Sequence, residues 1–269
     1  MKKIVLSLER RIRRRLFKKR VRQRLRFTKI WTWTLMIWRL TLGSYGIPIF
    51  SEVSSWIQGI PPPKWRSFVG VSQIGESFTE MGDNFLRACL NAGLKSGDRI
   101  LDVGCGIGKL PLAILARYGP DHFQYDGFDP TYHGILWCRK RFRNYPNFRF
   151  KWINLYHPEY NKPGQFDPAS FRFPYPDSTF DFVVLMSVFT HMKLSEVANY
   201  LREIHRVLKP GGRVWASYFL DGSHVAGSVH DSNSVMAVYS LNRFSILNLY
   251  RSPLRSPTSD YQDLIIAKK

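Results

Sequence analysis

LDVGCGIGKLPLAIL, residues 101–115, is the stretch on which the fold turns. A short apolar run closes at Val103, glycines alternate at Gly104, Gly106 and Gly108, and an apolar helical pattern follows. Alternating glycines allow a tight turn and let a ligand lie against main chain that side chains would otherwise shield. Pro111 falls in the first helical turn, where its missing N–H costs nothing. Lys109 stands where a dinucleotide fingerprint would place its last glycine, and Asp102 flanks the turn. A carboxylate at that point repels a pyrophosphate, which a helix N-terminus otherwise attracts. It favours a ligand carrying an ammonium or a sulfonium.

Outward from the turn, strand-like and helix-like runs alternate. Strands are expected at 99–103, 123–128, 148–153, 180–186 and 213–219, and helices at 77–94, 109–118, 132–142 and 195–208. Residues 156–176, YHPEYNKPGQFDPASFRFPYP, and the Ser/His/Asn-rich residues 221–243 read as loops. Residues 244–250 and 262–267 read as a final antiparallel pair. The alternation implies an α/β fold with a parallel sheet covered on both faces. Asp129, in FQYDGFDP, closes the second strand 21 residues after Gly108. An acid at that place meets ribose hydroxyls, because one carboxylate accepts both protons of a diol. Asp126 competes for the role but lies inside the strand.

The chain has 269 residues, 44% hydrophobic and 22% charged, a balance that excludes wholesale disorder. Its net charge of +20 is uneven. Residues 1–29 carry fourteen lysines and arginines against the single acid Glu9. Val5, Leu8, Ile12 and Leu16 recur there at helical spacing, so this stretch reads as a basic amphipathic helix. The Trp-rich residues 30–50 are apolar but interrupted by Arg39, Gly43, Gly46 and Pro48. Three readings of this arm stand open: an in-plane anchor on an anionic membrane, a true span, or a soluble arm packed on the domain or bound to RNA. Pro61, Pro62 and Pro63 mark a linker, dividing the chain into an arm, 1–60, and a domain, 61–269. Cys89, Cys105 and Cys138 fit no disulfide or zinc pattern and read as buried apolar residues in a reducing compartment. No cleavable signal peptide is recognisable, so a cytoplasmic protein is expected, peripheral on the inner membrane face if the arm anchors it.

LDVGCGIGKL, GFDP, FPYPDSTFDFVVLMSVFTHM and LREIHRVLKPGGRVWASYF together resemble the class I S-adenosylmethionine-dependent methyltransferases. The resemblance covers roughly residues 64–269. It implies a Rossmann-like, doubly wound, mostly parallel seven-stranded sheet with a reversed last hairpin. S-adenosylmethionine is then the cofactor, lying across the strand C-termini. Carried over, Asp102, Gly104, Cys105 and Gly106 line its methionine part, and Asp129 with Pro130 holds the ribose. Asn154 takes the place of an acid that contacts the adenine amino group, and Met186 and Ser187 lie under the reacting methyl. Residues 209–212 form the turn before strand five. The fingerprint of enzymes acting on nucleic-acid amino groups, Asn/Asp-Pro-Pro-Tyr/Phe, is absent after strand four.

Methyl transfer to a hydroxyl or protonated amine gains from a base. His191, just past strand four, is the first candidate, since ligands of open α/β sheets bind at strand C-termini. His157 and His133 on neighbouring loops come next. Tyr156, Tyr160, Phe166 and Tyr175 either shape an acceptor pocket or cover the sheet edge, and Phe78 either closes over the cofactor or packs in the core. No metal site is expected. The sequence thus favours methyl transfer to an oxygen or nitrogen of a small or lipid-linked acceptor, with glycan precursors included. An RNA methyltransferase gripping RNA through the arm, and a non-catalytic membrane-tethered cofactor-binding module, are the alternatives.

Overall fold

The structure, a computed structural model, describes residues 61, 78–222, 227–254 and 262–269. The N-terminal arm and its membrane and RNA readings lie outside the described residues. Among the described residues, no helix is long and apolar enough to cross a membrane.

The elements run α1 (Phe78–Asn91), β1 (Arg99–Val103), α2 (Lys109–Tyr118), β2 (Gln124–Asp129), α3 (Tyr132–Arg141), β3 (Phe148–Trp152) and β4 (Phe180–Leu185). A 3-10 turn (Phe189–His191) follows, then α4 (Leu194–Val207), β5 (Leu208–Leu220), β6 (Val229–His230), α5 (Ser232–Leu241), β7 (Ser245–Leu254) and β8 (Gln262–Lys268). The sheet order is β3-β2-β1-β4-β5-β8-β7, and the two-residue β6 pairs with the end of β5. Pairings from β3 to β5 are parallel, while β8 runs antiparallel to both β5 and β7. This is the expected doubly wound, mostly parallel sheet with a reversed last hairpin. The order reverses between β1 and β4, so the carboxyl ends of these two strands flank the crevice where such sheets bind ligands.

Period-two alternation along the central strands feeds two cores. In β4, Phe180, Val183 and Leu185 face one layer, and Phe182 and Val184 the other. The second layer is made by α1, α2 and α3 through Leu86, Ile114 and Ile135. The first is made by α4 and α5, with Phe171, Phe173 and Tyr175 plugging the gap between them and the sheet. α4 shows why these helices form where they do. Its buried Val197, Tyr200, Leu201, Ile204 and Val207 recur at three- and four-residue steps, and Glu196 accepts the Lys193 N–H (2.7 Å) to cap its start.

Two expectations require correction. Residues 209–212 are not a turn before strand five but part of β5. They bulge between the pairs Phe180↔Leu208 and Phe182↔Arg213, and their polar main chain is taken up by the chain end, Gly211 N–H donating to Lys269 O (3.1 Å). Residues 221–243 hold β6 and α5, not merely loop. Only Val235, Val238 and Tyr239 of α5 are buried, so serines and asparagines mask its periodicity. Its start is fixed by Asp231, whose carboxylate accepts the Ser234 N–H (2.8 Å).

Candidate active site

The glycine turn leaves β1 with Gly104 at φ 75° and Gly106 at φ 54°, a left-handed conformation that side chains disfavour. At Gly104 the close approach of Val188 adds a second requirement: a Cβ there would stand 2.5 Å from Val188 Cγ2. The turn is tied to β2. Gly104 N–H and Cys105 N–H both donate to Phe128 O (2.9 and 3.2 Å), and Gly106 N–H donates to Asp129 Oδ2 (2.8 Å). Cys89, Cys105 and Cys138 are buried and free.

Asp129 ends β2 and is 6% exposed. Besides Gly106, it accepts the Thr131 N–H at Oδ1 (2.7 Å). Burial pushes its pKa up, while the Thr131 and Gly106 donors pull it back. Each oxygen retains a second lone pair, so the carboxylate can still accept from a diol. The sequence marked it as a candidate for holding a ribose and missed that it staples the turn. Asp102 is 3% exposed and sits beneath the turn, where Tyr125 Oη–H donates to its Oδ2 (2.6 Å). Burial pushes its pKa up to about 7, with the Tyr125 bond opposing and the Asp129 charge adding to the rise. Asp126 belongs to the framework, accepting from Arg99 Nη2 (3.1 Å) and Arg149 Nη2 (2.9 Å).

Pro130, partly buried, accepts Trp152 Nε1–H at its carbonyl (2.9 Å). Tyr132 meets Trp152 edge-on at 5.3 Å, which adds an aromatic rim beside Asp129. Asn154 lies two residues beyond β3, its Oδ1 accepting from Asn161 Nδ2 (3.1 Å).

The turn after β4 is fixed from several sides. Ser187, at φ 56°, donates its N–H to Ser217 Oγ (2.8 Å) and bonds Gln262 through its hydroxyl. His230 Nε2–H donates to Phe189 O (3.0 Å), and Ser228 N–H donates to Thr190 O (2.6 Å). Met186 is partly buried and packs against the α1–α3 layer. His191 ends this turn, partly buried, and its ring makes no hydrogen bond among the described residues. The rings of His157 and Tyr160 lie 6.0 and 6.4 Å from it. Burial raises the Tyr160 phenol pKa, with smaller contributions from the Glu159 and Asp129 charges.

Other candidates fall elsewhere. Phe78 is buried in the α1–α3 layer. Tyr175 is buried against Phe180 and Phe128 rather than lining a pocket. His133 is exposed beside Tyr132. A depression lined by Pro120, Phe123, Asn144 and Tyr145 opens at the opposite end of β2 and β3. Among the described residues, no cluster of His, Cys, Asp or Glu is placed to hold a metal. Tyr125, Val188 and Thr131 are the site residues the sequence did not flag. Their roles depend on pairings across strands and turns that no local motif records.

An open α/β sheet with a glycine turn at its switch point and an acid closing the next strand defines a nucleoside-binding protein of the Rossmann-like class. Residues 75–251 match the family described as "Methyltransferase domain". The chain belongs to that family, and S-adenosylmethionine is its cofactor. It is similar to the demethylmenaquinone methyltransferase of Lysinibacillus sphaericus (29% identity, covering 45% of this chain and 44% of the relative). It is similar also to the 27-O-demethylrifamycin SV methyltransferase of Amycolatopsis mediterranei (30% identity, 54% and 47%). The chain thus spans less than half the length of these curated relatives. Among solved structures, the 1,6-didemethyltoxoflavin-N1-methyltransferase of Burkholderia thailandensis shares the fold (TM-score 0.51, 16% identity, 81% and 84% covered). The site fits the cofactor: the turn bares main chain where a Cβ would clash, Asp129 keeps free lone pairs, and two acids suit a cation.

Proposed function

We propose that this protein is an S-adenosylmethionine-dependent methyltransferase that methylates an oxygen or nitrogen of a small acceptor. The bound cofactor supplies a methyl already activated on a sulfonium. This chain's residues then have three tasks. Asp129 holds the ribose hydroxyls through its spare lone pairs. Asp102 stabilises positive charge at the glycine turn from below. His191 takes the acceptor's proton on an imidazole nitrogen, a contribution of about 10²–10⁴-fold in such reactions, while alignment of acceptor and methyl supplies much of the rest.

The observation that carries this reading is the placement of His191. Its ring, which makes no hydrogen bond among the described residues, stands on a turn tied down by Ser217, Gln262 and His230, at the carboxyl end of β4. Relatives named for a quinone and a rifamycin acceptor support a small-molecule acceptor. The basic, Trp-rich arm supports a lipid-linked acceptor met at an anionic membrane surface. Incubating the full chain with methyl-labelled cofactor and fractionated lysate tests the reading. Label entering small molecules or lipids supports it. Label entering RNA, with binding that weakens steeply with salt, replaces it by the RNA reading. No transfer to any fraction, despite cofactor binding, leaves a non-catalytic cofactor-binding module.

A further inference from the structure

Residues 156–176 are expected to form a loop, and in the structure residues 154–166 are a loop knitted by a parallel bridge between Leu155 and Phe166 and an antiparallel one between His157 and Asn161. Tyr156 N–H donates to Phe166 O (2.8 Å), Phe166 N–H donates to Asn154 O (3.0 Å), and His157 and Asn161 exchange both main-chain bonds (3.1 Å each). Main-chain atoms of Leu155 and Tyr156 approach Gly164 so closely that a Cβ there would lie 2.3 Å from them. At the tip, His157 Nδ1 accepts the N–H groups of Glu159 (3.1 Å) and Tyr160 (3.2 Å). With that lone pair occupied, the neutral ring carries its proton on Nε2, and Nε2–H has no hydrogen-bond partner among the described residues. Burial and the neighbouring His191 lower the His157 pKa, which favours this neutral donor form.

On this frame the loop displays large rings. Tyr156, Tyr160 and Phe166 are 47%, 36% and 50% exposed. Tyr160 lies over His157 at 4.5 Å with the planes 34° apart, and both rings face His191 at steep angles of 76° and 63°. Rigid π-faces beside a fixed N–H donor recognise a flat ring that bears an oxygen. An aliphatic polyol would gain the donor but only a weaker contact with the ring faces.

We propose that the 154–166 loop is the acceptor subsite and that it takes a planar, hydroxylated aromatic ring, stacked on Tyr160 and hydrogen-bonded by His157 Nε2–H, with the reacting hydroxyl turned to His191. This rests on the methyltransferase reading above. His157 positions the acceptor, while His191 takes the proton.

The test uses the full chain saturated with S-adenosylhomocysteine, and 2,3-dihydroxynaphthalene and trans-1,2-cyclohexanediol as probes, with dissociation constants measured by calorimetry. His157→Asn keeps an acceptor near the Nδ1 position for the turn and removes the Nε2–H. Tyr160→Leu keeps bulk and removes the ring. The naphthalenediol is expected to bind more tightly than the cyclohexanediol, and each substitution to weaken it roughly three- to tenfold, with S-adenosylhomocysteine affinity unchanged. Normal S-adenosylhomocysteine binding with equal affinity for both diols, with no diol binding, or with naphthalenediol affinity indifferent to both substitutions overturns the subsite alone. Failure to bind S-adenosylhomocysteine overturns the functional reading and the subsite with it.

Discussion

Replacing Asp129 with alanine separates two tasks of this carboxylate, the staple seen in the structure and the proposed grip on the ribose. Its oxygens accept from Gly106 N–H (2.8 Å) and Thr131 N–H (2.7 Å) in a site almost closed to water. Each buried donor left without a partner costs about 1–3 kcal/mol. Removing a carboxylate whose own ionisation is penalised by burial returns part of that, so a net loss of about 1–4 kcal/mol of stability is expected. Cofactor affinity falls separately. Loss of charge-assisted bonds to the ribose diol costs about 1.5–3 kcal/mol, roughly 10- to 100-fold in Kd. Urea denaturation reads the first effect, and calorimetry with S-adenosylhomocysteine on the folded variant reads the second. Asp129→Asn, which keeps one acceptor oxygen, should fall between wild type and alanine in both. A folded alanine variant with unchanged affinity refutes the ligand role. Unchanged stability refutes the staple.

Asp102 makes stability depend on pH. Its folded pKa of about 7 lies above the unfolded value, so between about pH 4 and pH 7 the folded chain holds a proton that the unfolded chain has shed. Stability therefore falls as pH rises through that window, by at most about 1.4 kcal/mol per unit, and levels off above it. Asp102→Asn should flatten this component in urea titrations, and an identical slope in the variant would contradict the assignment. The same raised pKa means that binding the cationic cofactor releases protons at pH 6 and none at pH 9, readable by calorimetry in buffers of different ionisation enthalpy; equal release at both would contradict it. His191→Gln should lower kcat by about 10²–10⁴ while leaving S-adenosylhomocysteine affinity intact, and undiminished turnover across the pH range retires the base. Gly104→Ala forces a Cβ to 2.5 Å from Val188 Cγ2 at φ 75°, costing about 1–3 kcal/mol and weakening cofactor binding. Adding Val188→Ala should restore part of the loss in thermal melts, and no rescue would place the strain in the backbone alone.

Local patterns proved legible and cross-chain geometry did not. The helix at 109–118 begins and ends where the glycine turn and apolar spacing place it. Asp129 ends β2 as its distance from the turn suggests. The turn's internal bonding stayed hidden because it depends on the parallel register that pairs Asp102 with Gly127 and brings Phe128 O under Gly104 N–H. Tyr175 reads equally as a pocket aromatic or as a cover for the sheet edge, because composition does not say which face of a loop meets the sheet. α5 was lost among serines and asparagines because only one narrow stripe of it is buried. Proline, asparagine and glycine make 156–176 read as a loop without saying how it is held; Asn161 and Gly164 lock its first part, by bonding Leu155 O (2.9 Å) and by admitting the main chain of Leu155 and Tyr156.

A crystal structure of the full chain with S-adenosylhomocysteine tests the placement of the nucleoside most directly. Both ribose hydroxyls are expected within hydrogen-bonding distance of Asp129, and the amino-acid end against the main chain of Gly104 and Gly106. A nucleoside bound away from the carboxyl ends of β1 and β2, or Asp129 still bonded only to Gly106 and Thr131, would contradict this placement.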